Sequence, residues 1–104
     1  MDRLTLALLT FDVGAPSASP DAFADRVCAQ VREAWDDGAD LVVLPEFLWM
    51  GLEPFVPGED KLRGVARLFW TDLWPTLAPR LAQADKGVVL GTVPFLGADG
   101  QLRN

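Results

Sequence analysis

Apolar and polar positions along the chain fall into short unbroken apolar runs separated by stretches in which apolar residues recur at helical spacing. The opening run, RLTLALLTFDV (residues 3–13), predicts a first β-strand. GAPSASP (14–20) then collects small residues, two prolines and two serines, which marks a loop with Ser19 as N-cap and Pro20 at the first helical position. From Pro20 to about Asp37, Phe23, Ala24, Val27, Val31, Ala34 and Trp35 share one arc at ~100° per residue, while Asp25, Arg26, Arg32, Glu33, Asp36 and Asp37 share the other. This is an amphipathic helix with one face for a core and one for water. Gly38 stands where a helix-terminating glycine belongs.

The next run, ADLVVL (39–44), lacks polar alternation, so it predicts a strand covered on both faces. Burial of Leu41, Val42, Val43 and Leu44 would contribute roughly 6–12 kcal/mol before entropy is subtracted. Strand, helix and strand in this order make a βαβ unit, whose strands lie parallel. LWMGLEPFVPGED (48–60), with two prolines and two glycines, reads as a long connection with about one helical turn. Helical patterning returns from Glu59 to about Trp70. Pro75 and Pro79 predict a break near 71–76 and a second helix from Thr76 to Ala84. A third strand is expected from Gly87 to about Phe95, followed by a tight turn at Ala98, Asp99 and Gly100 and a returning strand over 101–104. The fold class is therefore α/β. A hairpin whose second arm stops after four residues suggests that residues 1–104 are a truncated portion of a single larger domain.

Composition narrows the function. A chain of 104 residues with 50% hydrophobic and 23% charged residues is one globular domain and not a disordered tail. No window reaches the ~18–20 apolar residues of a membrane helix, and Thr5, Thr10 and Asp12 break up a secretory h-region. The net charge of −6, with scattered Lys and Arg, offers no basic stripe for nucleic acid or an anionic membrane. One cysteine excludes an internal disulfide, and the absence of histidine removes the usual zinc ligand sets, so no metal is expected. A reducing compartment, the cytoplasm, fits best.

The residue that carries chemistry is Glu46, in GADLVVLPEF (38–47). It sits just past the carboxyl end of an inner strand, where open α/β sheets place ligands. A carboxylate partly screened from water there has its pKa raised and accepts a proton near neutral pH. On spacing alone, the rival reading is a solvated glutamate at a strand end. Trp49, three residues on, is placed at the mouth of a pocket. The other aromatics, Phe47, Phe55, Phe69, Trp70 and Trp74, read as core or interface packing. Cys28, near the apolar arc of the helix, reads as a small buried hydrophobe, and Lys61 and Lys86 as solvated charges.

GADLVVLPE, Gly51 and the closing VVLGTVPFLGADGQLRN resemble, in order and spacing, the N-terminal part of the nitrilase or carbon–nitrogen hydrolase superfamily. The resemblance implies an α-β-β-α sandwich that commonly forms homo-oligomers, and a small-molecule amide or nitrile as substrate, with no cofactor. It also implies a Glu-Lys-Cys triad in which Glu46 is the general base, a lysine supports the tetrahedral intermediate and a cysteine forms a covalent intermediate. The positions of that lysine and cysteine fall beyond Asn104, so the chain alone is expected to be inactive. The first strand ends LLTFD where many relatives have glutamine, and Leu52 stands where many have an aromatic residue, which leaves the substrate class within the superfamily open. A rival from another class is a small non-catalytic α/β module or pseudoenzyme that binds a partner. A third arrangement has two chains sharing one active site.

Overall fold

A computed structural model describes residues 3–83 and 85–103. Three short strands, β1 (Leu6–Leu8), β2 (Leu41–Val43) and β3 (Gly87–Val89), form one sheet in the order β1-β2-β3. Both pairings are parallel, with Ala7, Val42 and Val88 in one register row and Leu8, Val43 and Val89 in the next. The βαβ unit is thus as expected from the order of the runs. The first strand is much shorter than the run that encodes it, although Leu9 still donates to the Val43 carbonyl.

Helix α1 (Pro20–Asp36) begins and ends on local chemistry. Ser19 is extended, its Oγ accepts the Ala22 amide at 3.0 Å, and Pro20 fills the first turn. At the other end Gly38 takes a φ of 110°, its amide donating to Trp35 O while Ala39 donates to Ala34 O. These two bonds are a Schellman cap, and the positive φ is what glycine supplies there.

After β2 comes a 3-10 helix (Leu48–Phe55), longer than the single turn expected. Helix α2 (Lys61–Arg67) starts on Asp60, whose carboxylate accepts the Arg63 amide. It runs into a π-helical stretch (Leu68–Leu73) and on into α3 (Trp74–Leu81). The break expected at 71–76 is therefore absent. Proline lacks an N–H and crowds the carbonyl four residues back, and the wider π turn relieves both problems by placing Pro75 in the first turn of a new α segment. The expected helix end at Ala84 lies outside the described residues. Beyond β3 the expected single strand is two elements. Gly91, at φ 79°, turns the chain, and β4 (Phe95–Leu96) pairs antiparallel with β5 (Leu102–Arg103) through the expected turn. Asn104, the last residue of the expected return, is outside the described residues.

The core lies between one face of the sheet and the helices. Val42 is fully buried against Val27, Val31 and Trp35 of α1, with Phe69, Leu73 and Leu77 completing the layer. Aromatic rings run through it from Phe11 to Phe23 to Trp49 to Phe69, the first two contacts edge to face and the last tilted, with centroid separations of 4.8–6.1 Å. The opposite sheet face is open. Leu6, Leu8 and Val89 are exposed, Leu8 at 76%, and Leu41 and Val43 are only half-buried. The expectation that β2 is covered on both faces is therefore corrected: successive side chains on a strand alternate, and only the alternate bearing Val42 meets a helix layer.

Candidate functional site at the carboxyl end of the central strand

The site forms where β2 leaves the sheet. Leu44 donates to Val89 O at 2.9 Å, the last link to β3, and Pro45 then starts a tight turn closed by the Leu48 amide on Pro45 O at 3.3 Å. Proline cannot continue a central strand, so the chain turns there. Glu46 and Phe47 occupy the two middle positions, and Phe47 has φ 63° and ψ 11°, the one non-glycine with positive φ among the described residues. The third position of such a turn normally falls to Gly or Asn. For phenylalanine it costs about 1–2 kcal/mol.

Three indoles pin the opposing wall. Trp35 Nε1 donates to Gly87 O at 3.3 Å, Trp49 Nε1 to Leu90 O at 3.0 Å and Trp70 Nε1 to Pro94 O at 2.9 Å. They hold β3 and the segment after it at intervals of three to four residues. Gly91 packs so closely on the β2 turn that a Cβ there would lie 2.6 Å from Pro45 O. The two strand exits are thereby locked side by side, around the turn that carries Glu46.

Glu46 itself is exposed, and among the described residues no donor or cation binds its carboxylate. The position matches the strand-end placement read from the sequence, but the screening from water that a general base needs is not supplied by these elements. Trp49 is corrected more fully. Expected at a pocket mouth, it is completely buried, edge-on to Phe23 and tilted against Phe69, with its single donor committed to Leu90. A strand-end loop was the expected context; the 3-10 helix instead turns position 49 inward.

Phe47, expected in core or interface packing, is not part of this chain's core and is 59% exposed. Its ring lines a cavity of about 320 Å³ with Met50, Leu62, Pro94 and Leu102. These residues come from the turn after β2, the 3-10 helix, α2, β5 and the residue before β4, so no local pattern in the sequence foreshadows the cavity. Arg103, also in its wall, is held by Asp99 through two bonds of 3.0 and 2.8 Å. The salt link lowers the Asp99 carboxyl from 3.8 to about 2.

Cys28 is 1% exposed, and burial pushes its thiol pKa up, with Arg80 and Arg32 acting weakly against this. A nucleophilic thiol needs the opposite shift. Lys61 and Lys86, expected to be solvated, are half-buried, and each Nζ donates to a backbone carbonyl, of Val56 and Ala39 respectively. They close loops, and neither forms an ion pair with Glu46, although Lys61 shares the wall of a neighbouring cavity with Phe47 and Met50. Among the described residues no cluster of three or more Asp, Glu or Cys side chains is placed to hold a metal ion, and no helix is long and apolar enough to cross a membrane.

Fold and site together define a small mixed α/β chain: a parallel three-stranded sheet with helices on one face and an acid at the carboxyl end of its central strand. Comparison with protein-family models, with curated proteins and with solved structures found no match.

Proposed function

We propose that this chain is the N-terminal portion of a hydrolase that cleaves nonpeptide carbon–nitrogen bonds of amides or nitriles, with Glu46 as general base. The supporting observation is the setting of Glu46, on a rigid Pro-Glu turn at the carboxyl end of the central parallel strand, with β3 locked beside it. In this reading Glu46 takes the proton of a thiol as sulfur attacks the carbonyl or nitrile carbon. A lysine balances the charge that develops on the attacked group. With an amide the proton passes to the leaving nitrogen and water clears the acyl-enzyme; with a nitrile it passes to the nitrogen of a thioimidate, from which one water releases ammonia before a second clears the acyl-enzyme. Cys28 is buried in α1 and each lysine is committed to a backbone carbonyl, so this reading assigns both partners of Glu46, and the screening of its carboxylate, to polypeptide other than residues 1–104.

The open sheet face, with Leu6, Leu8 and Val89 exposed, favours a second reading as a non-catalytic module that associates through that face. The native reading frame separates the two. The hydrolase reading expects it to continue past Asn104 with a lysine and then a cysteine at a strand end. In that longer protein, Glu46→Gln lowers kcat by about 10²–10⁴, while the 104-residue chain turns over neither simple amides nor nitriles. A longer protein whose turnover is untouched by Glu46→Gln overturns the assignment, as does amide hydrolysis by the short chain that Glu46→Gln abolishes, because the site would then be complete without a second segment.

A further inference from the structure

We propose that the cavity beside the Glu46 turn is a binding site for the apolar body of a neutral small molecule, and that Phe47 is its specificity-determining wall. Two independent features of Phe47 lead there. Its backbone is held at positive φ, where glycine or asparagine would sit without strain, and its large apolar ring is left 59% exposed. Core packing therefore does not account for the phenylalanine. What the conformation achieves is to set the ring against Met50, Leu62, Pro94 and Leu102 as one side of the 320 Å³ cavity.

The volume lies at the small end of ligand pockets and admits about ten water-sized groups. Its chemistry is selective. The one cation in the wall, Arg103, is already neutralised by a two-pronged bond to Asp99, and Glu46 is the immediate chain neighbour of Phe47. Lys61 lines the neighbouring cavity and is held by the Val56 carbonyl, so within this wall an anionic ligand gains no unpaired cation, whereas a neutral aliphatic or aromatic body gains the apolar walls. That the ligand ends in an amide or nitrile rests on the hydrolase reading; that its body is neutral and apolar does not.

The test exploits the two methionines of the chain, of which Met50 lines the cavity and Met1 serves as reference. With methyl-13C methionine, hexanamide shifts the Met50 methyl resonance saturably. Acetamide, too short to fill the cavity, and adipamate, of similar length but charged, bind more than about tenfold more weakly. Phe47→Gly loses the hexanamide response while its melting temperature stays level or rises, because the strain is relieved. Phe47→Asn, which also accepts positive φ, gives the same loss if the glycine variant folds poorly. Absence of a Met50 shift with hexanamide overturns the proposal, as does adipamate binding as well as hexanamide, or a Phe47→Gly or Phe47→Asn protein that binds normally. Hexanamide bound by a protein that hydrolyses no amide retains this site and removes only the hydrolase reading.

Discussion

Replacing Trp49 by alanine decides between two placements of one side chain, a pocket mouth as the sequence suggests or the core as the fold has it. The indole is fully buried, its ring packs on Phe23 and on Phe69, 4.8 Å away, and its N–H reaches Leu90 O at 3.0 Å. Truncating a buried tryptophan costs about 3–5 kcal/mol, and an orphaned buried carbonyl adds about 1–3 kcal/mol where water does not reach it. A domain of this size has a total stability of roughly 5–15 kcal/mol. Trp49→Ala is therefore expected to take about a fifth or more of that stability and, toward the lower end of the range, to unfold the chain. Trp49→Phe keeps most of the apolar area and loses the donor, so it is expected to cost about 1–3 kcal/mol, lowering the melting temperature by roughly 4–8 °C for each kcal/mol. Urea unfolding followed by far-ultraviolet circular dichroism measures both without relying on tryptophan emission. A cost below about 1 kcal/mol for Trp49→Ala, with an unchanged m-value, would show that the ring is not part of the core.

Other consequences follow from single contacts. Gly51→Ala drives a Cβ into the Phe23 ring, and because that ring is itself fully buried the cost is about 1–3 kcal/mol by chemical denaturation; a neutral substitution would mean the 3-10 helix does not lie on α1 as described. Asp99, held near 2 by Arg103, favours the folded hairpin above its unfolded value of 3.8, and this contribution fades as pH falls through about 2. Carbon-detected titration of the carboxyl should find that midpoint, and Arg103→Ala should return it toward the ordinary range; no change would remove the salt link. Because Leu6, Leu8 and Val89 leave a row of apolar side chains on an unpartnered sheet face, light scattering should record mass rising with protein concentration, and Leu8→Lys should reduce it. A wild-type chain that remains monomeric at high concentration refutes that expectation.

What the sequence determined by itself is whatever depends on a few neighbouring residues. Ser19, Pro20 and Gly38 bound α1 because capping uses side-chain oxygen, ring geometry and positive φ within one turn. The spacing of Phe23, Val27, Val31 and Trp35 chose its buried face, and the apolar run closed by Pro45 and Glu46 marked the strand end that carries the candidate base. The tertiary structure alone decided the rest. Whether a strand has one face covered or two depends on layers far away in sequence, so the apolar run marked β2 as a strand but not how much of its outer row this chain leaves bare. Pro75 signalled a break, yet the π turn that absorbs it is held by the packing of Phe69 and Leu73. Trp49 entered the core and Phe47 stayed outside it because turn geometry at a non-glycine residue is imposed by contacts between β2, Gly91 and Leu90, and periodicity records only which residues are apolar, not which neighbours will reach them.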